Sequence, residues 1–378
     1  MSGRWAWAEV DLAAVSHNVG VLRDAVAPAE VWAVVKADGY GHGAVPVARA
    51  ALAAGAAGLC VALVQEGAAL RDAGIDAPIL VLSEQPPNEL AALVSNGLIA
   101  TTYTAEGIDA LAAAAARRWR YPVHVKVDTG MHRVGCRPEE AVEVARRLVG
   151  RAELGLAGVF THLAVADEPH DPYTAEQLAR FDEVLGGLAE AGIRPGLVHA
   201  ANSAGGLAHP AARRALVRAG IAVYGHPPGP GVAHLARGLR PALSLRGRVS
   251  FVQRRAAGER ISYGLRHRFE RDTVVATVPV GYADGVPRRL FAAGGEVLVG
   301  GSRCPIVGVV TMDQLMVDCG PDATVAVGDE VVLLGRQGDE EVTATEWAER
   351  LGTIAYEITC GIGARVPRVY RNAEVSHQ

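Results

Sequence analysis

The chain has 378 residues, of which 50% are hydrophobic and 21% are charged. This length suits a barrel-sized domain followed by a smaller one, and the balance of residue types excludes a disordered chain. Lys and Arg number 37 against 41 Asp and Glu, so the net charge is -4 and no basic tract stands out. A protein that neutralises phosphates carries local positive charge, and we therefore expect no nucleic-acid partner.

The N-terminal residues and the cysteines bear on the compartment. Residues 1–5 carry no apolar run behind a basic segment, and no window approaches the ~20 apolar residues that span a bilayer. The 5 cysteines are scattered and include no Cys-x-x-Cys pair, so neither a zinc site nor a disulfide framework is indicated. We expect a cytoplasmic protein with no metal and no membrane partner.

Short β-branched runs alternate with longer segments of helical period between residues 30 and 225. The predicted strands are Val31–Ala37, Gly58–Ala62, Ile79–Leu82, Leu98–Thr102, Val123–Val127, Ala157–His162, Leu197–Ala200 and Ala215–Ala219. The predicted helices are Ala44–Ala53, Glu66–Ala73, Asn88–Val94, Glu106–Arg117, Glu139–Leu148 and Ala175–Glu190. Eight strands with intervening helices indicate an α/β fold, a (β/α)8 TIM-type barrel. The alternative, an open doubly wound sheet, is disfavoured because no Gly-rich dinucleotide fingerprint follows the first strand.

The character of the sequence changes after a Pro/Gly cluster at Pro227–Pro230. Beyond this cluster, closely spaced strand-like runs are separated by Gly-rich turns, and helix is scarce apart from Thr345–Leu351. The predicted strands are Arg248–Val252, Val274–Val280, Glu296–Val299, Ile306–Val310, Leu315–Val317 and Glu330–Leu334. We predict a barrel over residues 1–235 and a smaller, mainly β C-terminal domain over residues 236–378, with residues 1–12 available to pair with the second domain.

Barrel enzymes carry their reactive groups at the carboxyl ends of the strands. The first predicted barrel strand ends near Lys36, and Ala-Asp-Gly-Tyr-Gly-His-Gly follows through residue 43. An amine at the end of an apolar strand is partly desolvated, which suits capture of an aldehyde or abstraction of a proton. The glycines let the backbone run close to a ligand, and this context favours a reactive amine over a snorkelling surface lysine.

Two later strand ends carry a complementary signal. Asn202 and Ser203 follow the seventh strand, and a loop containing Gly220 follows Arg218 in the eighth. A hydroxyl and loop amides at these positions match the phosphate site that recurs in barrels, although Asn202-Ser203 taken alone is an ordinary helix cap. A lysine that captures aldehydes opposite a phosphate cradle indicates pyridoxal 5'-phosphate as the cofactor.

Separated blocks of sequence over essentially the whole chain support this interpretation. They are Val35–Gly43, Lys126–Gly135, Phe160–Ala164, His199–Ser203, Arg218–Gly225, Ser262–Gly264, Gly281–Gly285, Met312–Gln314, Tyr356–Gly361 and Arg365–Tyr370. Through these blocks the chain resembles the alanine racemase family of fold-type III pyridoxal-phosphate enzymes. The resemblance implies interconversion of L-alanine and D-alanine, which supplies D-alanine for peptidoglycan synthesis in a bacterial cell wall.

The resemblance also implies two acid/base groups on opposite faces of a planar carbanion. Lys36 would hold the cofactor covalently and serve one face. Tyr263 would serve the other face from the opposite subunit of a head-to-tail homodimer with shared active sites. Arg218, linked to His162, would donate to the pyridine nitrogen of the cofactor. Because a guanidinium has no proton to spare, that nitrogen stays unprotonated, which disfavours transamination.

The remaining implied roles concern the substrate and the phosphate. Arg133 would bind the substrate carboxylate bidentately, helped by the backbone amide of Met312 from the partner chain. Lys126 matches a lysine that is carbamylated in many relatives; the alternative is a plain Lys126–Asp128 surface pair. The phosphate-binding positions are Tyr40, Ser203, Gly220, Ile221 and Tyr356. The supporting positions are Asn202, Tyr282 at the pocket entrance and Asp313, which orients its neighbours.

Some positions depart from the family or lie outside the predicted site. Thr311 stands where relatives often have Cys, which alters the pocket wall without touching the core mechanism. Asp284 and Arg288 are interpreted as surface turn positions.

Three other functions remain open. A racemase of serine or of broad specificity is one, since small side chains differ by only ~1–3 kcal/mol in pocket discrimination. A non-catalytic pyridoxal-phosphate-binding homeostasis protein resembles the barrel alone, and the second domain with Tyr263 and Met312 argues against it. An amino-acid decarboxylase of the same fold type is disfavoured by the blocks around Tyr263 and Arg218 and by the shorter chain.

Overall fold

The computed structural model describes residues 3–118 and 120–372. The chain divides into two compact units. The barrel unit comprises Ala14–Gly39 and Ala44–Arg240. The second unit comprises Tyr40–Gly43 and the described parts of Met1–Ala13 and Pro241–Gln378. The predicted fold class, a (β/α)8 barrel followed by a mainly β region, is confirmed.

The chain begins with strand β1 (Ala6–Asp11) and helix α1 (Leu12–Val26). The barrel strands that follow are β2 (Glu30–Val34), β3 (Gly58–Val61), β4 (Ile79–Val81), β5 (Ala100–Thr102), β6 (Tyr121–Lys126), β7 (Leu154–Phe160), β8 (Leu197–His199) and β9 (Leu216–Ala219). The helices are α2 (Lys36–Tyr40), α3 (Ala44–Ala53), α4 (Val64–Asp72), α5 (Leu90–Ser95), α6 (Ala105–Ala114), α7 (Ala141–Val149), α8 (Tyr173–Glu190) and α9 (Ser203–Ala208).

The parallel strands close into a ring. One run has the order β4-β3-β2-β9, with Val34 opposite Cys60, and the other has the order β5-β6-β7-β8. A bridge between Leu80 and Ile99 joins β4 to β5, and the Ala215 amide donates to the Val198 carbonyl at 3.0 Å between β8 and β9. Every residue of β3 and β4 is buried, as expected for strands covered by helices on one side and by barrel interior on the other.

The outer helices present an apolar stripe to the strands and a charged face outward. In α7 the buried residues are Ala141, Ala145 and Leu148, spaced three and four apart, whereas Arg146 and Arg147 are exposed. This spacing places the apolar residues on one side of a helix. Helix α6 starts with a side-chain cap at Thr104, whose hydroxyl accepts the Gly107 amide at 2.9 Å.

The second unit is built mainly from short antiparallel strands. They are β10 (Leu243–Arg248), β11 (Phe251–Arg255), β12 (Arg260–Ile261), β13 (His267–Arg268), β14 (Thr273–Val278), β15 (Glu296–Val299), β16 (Ser302–Pro305), β17 (Leu315–Gly320), β18 (Glu330–Gln337), β19 (Glu340–Val342) and β20 (Arg368–Arg371), with helices α10 (Ala344–Leu351) and α11 (Ala355–Cys360). The larger sheet has the order β16-β15-β18-β10-β1-β20, so β1 pairs within this unit, antiparallel to β10 and parallel to β20. A smaller sheet has the order β11-β14-β17, and β12 pairs with β13.

Two predicted strands of this unit are wrong. The run Arg248–Val252 is interrupted at Val249, whose amide donates to Asp329, and the chain passes there from the sheet of β10 to the sheet of β11. The run Ile306–Val310 makes only one isolated bridge, from Ile306 to Val317. Gly308 turns the chain there with φ 70°, so this buried apolar run forms a loop instead of a strand.

Candidate active site

The predicted site residues of the barrel unit lie where its parallel strands finish. Lys36 follows β2, Lys126 is the last residue of β6, and His162 comes shortly after β7. Ser203 begins α9 after β8, and Arg218 lies within β9. The carboxyl ends of barrel strands surround one mouth, so these side chains lie around a common opening.

The chain leaves β2 in a left-handed turn that begins at Lys36. Ala37 has φ 52° and ψ 49°, Asp38 has φ 50° and ψ 50°, and Gly39 has φ 61°. The Gly39 amide donates to the Val35 carbonyl at 2.8 Å. Residues other than glycine avoid this region. Two such residues in succession therefore mark a strained backbone beside the predicted reactive amine.

Arg218 is buried, and its guanidinium is held on several sides. Nη1 donates to His199 Nδ1 at 2.6 Å, and Nη2 donates to the carbonyls of Thr161 and Ala200, each at 2.9 Å. Nη2 also lies 3.2 Å from His162 Nδ1, so the structure brings the two predicted residues together. Burial lowers the pKa of Arg218 to about 10, and the side chain is still a cation at neutral pH.

His199 extends this network to His124. His199 Nε2 and His124 Nδ1 are 3.0 Å apart. Because a guanidinium only donates, His199 Nδ1 accepts from Arg218, and the proton of His199 sits on Nε2 and is donated to His124. Burial, reinforced by the charge of Arg218, holds the pKa of His199 well below its usual range and lowers the pKa of His124 to about 3. Both rings are therefore neutral at pH 7.

The hydrogen-bond network ends at His124, in the barrel interior. The proton of His124 sits on Nε2, which has no hydrogen-bond partner among the described residues. Gly158 provides the space for this ring, since a Cβ at that position would lie 2.7 Å from it. Hydrogen bonds thus run in one direction, from Arg218 through His199 to His124.

Phe160 lies against the charged groups of this region. Its ring stacks on His199 with centroids 4.7 Å apart and an interplanar angle of 6°. Arg218 and Lys126 lie 5.2 and 5.5 Å from the ring centroid, within the range of cation–π attraction. Lys126 is only 5% exposed. Burial, followed by the charges of Arg218 and Arg133, lowers the pKa of Lys126 to about 7.

The loop after β6 excludes the surface pair that was weighed for Lys126. Asp128 Oδ1 accepts the amides of Gly130 and His132, each at 3.0 Å. This carboxylate therefore shapes the loop that leads to the exposed Arg133, whereas Lys126 is buried. The structure contradicts a plain Lys126–Asp128 surface pair.

The predicted phosphate positions of the barrel unit are in contact. The Gly220 amide donates to Ser203 Oγ at 2.8 Å, and the buried Ile221 follows. Asn202 Oδ1 accepts the Gly205 amide at 2.9 Å and thereby caps α9. Asn202 is thus a cap, and Ser203 is a hydroxyl that bridges two strand ends.

The predicted phosphate positions of the second unit also pack together. The rings of Tyr40 and Tyr356 have centroids 5.8 Å apart and an interplanar angle of 39°. Gly41, with φ 83°, allows this approach, because a Cβ there would lie 2.2 Å from the Thr359 carbonyl of α11. Only glycine fits so close a contact between backbones.

Three other predicted residues of the second unit are exposed and lie on adjoining loops. They are Tyr263 (71% exposed), Tyr282 (41%) and Met312 (52%). Ser262, next to Tyr263, donates its hydroxyl to the Val309 carbonyl at 2.8 Å, and the Tyr282 amide donates to the Thr311 carbonyl at 3.0 Å. Large apolar side chains exposed together are typical of a surface that binds another molecule.

Asp284 is not the surface turn residue that was predicted. It is fully buried, and its carboxylate pairs with Arg4 and, at 3.3 Å, with Arg365. Arg365 Nη2 also lies 2.7 Å from Asp313 Oδ1. Arg365 therefore ties the loop of Tyr282 to the loop of Asp313.

Sequence reasoning missed the contributions of His124 and Arg365, and it assigned His199 no role. His124 stands two residues before Lys126 and thus shares its strand face. A polar residue on the same strand face as a predicted site residue was the feature of the sequence that could have identified His124. The contacts of Arg365 depend on tertiary structure, which residue spacing does not reveal.

None of the helices in residues 3–118 and 120–372 combines the length and apolarity that a membrane span requires. Across the same residues, no group of three or more His, Cys, Asp or Glu could hold a metal ion.

A strand-end lysine, a buried arginine and a hydroxyl–glycine pair in one parallel barrel define the class of pyridoxal-phosphate-dependent barrel enzymes. Two family descriptions match this chain: "Alanine racemase, N-terminal domain" over residues 10–228 and "Alanine racemase, C-terminal domain" over residues 242–370. The chain belongs to the alanine racemase family.

Individual relatives agree with this assignment. An alanine racemase of Symbiobacterium thermophilum is 52% identical over 368 residues, which cover 97% of each chain. The crystal structure of an alanine racemase from D-cycloserine producing Streptomyces lavendulae is 40% identical, with a TM-score of 0.93 and 98% coverage of both chains. A histidine racemase from Leuconostoc mesenteroides subsp. sake is 29% identical, with a TM-score of 0.90 and coverage of 98% and 99%. The fold therefore does not by itself determine the substrate side chain.

Proposed function

We propose that this protein interconverts L-alanine and D-alanine with pyridoxal 5'-phosphate as its cofactor. The observation that carries the proposal is the placement of Lys36 at the end of β2 in the barrel that holds the buried Arg218. The high identity to a relative named alanine racemase supports alanine as the substrate. In the cytoplasm of a bacterium, the product would supply D-alanine for peptidoglycan.

The residues present fit this cofactor. Lys36 offers the amine that holds an aldehyde covalently, and Arg218 offers a guanidinium donor for the ring nitrogen. Ser203 and the loop of Gly220 and Ile221 provide a buried hydroxyl and amides for the phosphate. The family resemblance implies Tyr40 and Tyr356 of the second unit as further phosphate-binding positions. When bound, the cofactor stabilises the negative charge that remains on the substrate α-carbon after its proton leaves.

Racemisation requires proton transfer on both faces of the substrate α-carbon. Lys36 removes or returns the proton on one face, and Tyr263 of the partner subunit does so on the other. Arg218 donates a hydrogen bond and keeps its own proton, because even in its buried position its pKa is about 10. The network from Arg218 to His199 and His124 holds that donor in place with neutral rings.

Arg133 binds the substrate carboxylate with its fork of donors, together with the backbone amide of Met312 of the partner subunit. Lys126 supports Arg133 as a carbamate. With a pKa of about 7, a large share of its amine is unprotonated at neutral pH, and the unprotonated amine is the form that attacks carbon dioxide.

The exposed loops of the second unit support a homodimer with shared sites. Tyr263, Tyr282 and Met312 present apolar surface together on one unit, and two-fold association would bury it. In this arrangement Tyr282 lines the entrance to the site. Asp313, paired with Arg365, orients the loop of Met312.

The direct test is α-proton exchange in deuterated water, followed by NMR and chiral chromatography, for L-alanine, L-serine and L-histidine. We expect fast exchange and racemisation of alanine, with Lys36→Ala inactive. Arg288→Ala, an exposed change elsewhere in the chain, serves as the control. Preferred turnover of serine or histidine would contradict the assignment of alanine, and exchange that persists in Lys36→Ala would contradict the role of Lys36.

A further inference from the structure

Glu66 accepts backbone amides from two different strand ends. Its Oε2 accepts the amides of Ala62 and Leu63 at 2.8 and 3.1 Å, which caps the start of α4. Its Oε1 reaches back to the β2 end of the barrel and accepts the Ala37 amide at 2.6 Å. The helix cap requires only the two contacts of Oε2. The contact of Oε1 links Glu66 to the peptide bond between Lys36 and Ala37.

That peptide bond leads into two successive left-handed residues. Ala37 and Asp38 both adopt left-handed angles, which residues with a Cβ avoid. Such a conformation persists only where contacts over-determine it. The exit of the turn is held by Asp38 itself, whose Oδ1 accepts the Ala44 amide at 2.8 Å. Glu66 holds the start of the turn through the Ala37 amide.

The hydrogen bond to the Ala37 amide fixes the plane of the peptide that follows Lys36. That plane and the left-handed turn determine the direction in which the Cα–Cβ bond of Lys36 leaves the backbone. The oxygens of Glu66 are occupied by backbone amides. Glu66 can therefore influence the amine through the backbone.

We propose that Glu66 is a positioning residue that aims the Lys36 amine by holding the left-handed turn after β2. The inference rests on the proposed function of Lys36 and deepens it. A helix cap alone would contribute to stability, whereas a positioning residue also sets the rate at which Lys36 captures an aldehyde.

The chain offers a matched control for the capping role. Glu140 Oε2 accepts the Arg137 amide at 3.1 Å at the start of the helical turn before α7. This bond caps its own turn in the way that Glu66 caps α4, but Glu140 has no contact with the β2 end of the chain among its described hydrogen bonds. Glu140→Gln therefore reports the effect of neutralising a capping carboxylate away from the β2 end.

Two variants separate the contacts of Glu66. Glu66→Gln leaves a single acceptor oxygen, so one of the two strand ends must face an amide NH2. Glu66→Asp keeps the charge and a good capping residue, but its side chain is one methylene shorter and cannot span both strand ends. The aspartate variant keeps the test valid if the glutamine variant does not fold.

The measurement is the rate of covalent capture of pyridoxal 5'-phosphate by the protein stripped of cofactor. Samples are reduced with borohydride at successive times, and the adduct on Lys36 is quantified by mass spectrometry. We expect capture to slow about ten- to a hundredfold in Glu66→Asp and Glu66→Gln, the penalty of a misplaced reacting group, with Glu140→Gln equal to wild type. The circular dichroism of the bound cofactor's visible band should change in the same two variants.

Equal capture rates in wild type and both Glu66 variants would overturn the role of Glu66. The same holds if Glu140→Gln slows capture as much as they do. A wild-type chain that forms no adduct on Lys36 would overturn the proposed function itself, so the two failures are distinguishable.

Discussion

Phenylalanine in place of His199 removes the acceptor of Arg218 while preserving the ring that stacks on Phe160. The bond lost is a 2.6 Å contact from a charged donor, and hydrogen bonds to charged groups contribute about 1.5–3 kcal/mol. His124 Nδ1 also loses its donor at 3.0 Å, which adds about 1 kcal/mol or more for a buried acceptor left unpaired. We expect His199→Phe to lower the free energy of unfolding by about 2.5–4 kcal/mol.

The matched control is His124→Phe, at the far end of the same network. This change deprives His199 Nε2 of its acceptor, but it also removes the His124 Nε2 donor, which has no partner in the described part of the chain. The two effects offset each other, and we expect a loss of about 1 kcal/mol or less. Arg218 keeps its contact with His199 in this variant.

The assay is urea unfolding near pH 8, where the imidazoles are neutral in the folded and unfolded chains, with racemase activity measured in parallel. His199→Phe should be the less stable and less active variant. Equal losses in the two variants, or a loss below about 1 kcal/mol in His199→Phe, would refute the direction assigned to the hydrogen bonds.

Three further changes test other parts of the structure. The pKa of Lys126 is about 7 in the folded chain against an ordinary 10.5, so between these values only the unfolded chain binds the proton. In carbonate-free buffer, the free energy of unfolding of wild type should therefore rise about 2 kcal/mol more than that of Lys126→Met from pH 7.5 to pH 9. An equal pH dependence of the two proteins in urea unfolding would contradict this. Burial lowers the pKa of His226 to about 4, so the free energy of unfolding is highest above pH 6.5 and falls as the pH drops toward 4. From pH 7 to pH 4.5, His226→Asn should lose about 2–3 kcal/mol less of this free energy than wild type. Equal losses would contradict the burial of His226 as a neutral ring. Arg365→Met removes the ion pair that holds the loop of Asp313. We expect the KM for alanine to rise up to about tenfold in steady-state assays, with the cofactor absorption band unchanged. An unchanged KM would show that substrate binding does not depend on this ion pair.

The barrel and the strand-end positions could be predicted because each depends on local sequence. β-branched runs of the right length mark strands, and the carboxyl ends of parallel strands form a common face. Lys36, Arg218 and Ser203 could therefore be placed at this face from their positions in the sequence. The Gly220–Ser203 contact agrees with the predicted pairing of two strand ends.

The contacts between side chains could not be predicted, because they depend on which strands become neighbours and in which register. The network from Arg218 to His124 joins β9, the end of β8 and β6. Glu66 reaches Ala37 only because β2 and β3 are adjacent. The strand assigned to Ile306–Val310 was wrong because Gly308 turns the chain, and a run of apolar residues is equally compatible with a buried loop.

We propose that Lys36 of one subunit and Tyr263 of the partner subunit serve one site. This proposal is tested by mixing Lys36→Ala protein with Tyr263→Ala protein, each inactive alone, after dissociation and reassociation. In a mixed dimer one site would carry both changes and the other neither. We expect activity to return to about a quarter of the wild-type level, since half of the dimers are mixed and each has one intact site. If mass spectrometry finds mixed dimers and the sample stays inactive, both residues belong to the same chain's site and the shared site is disproved.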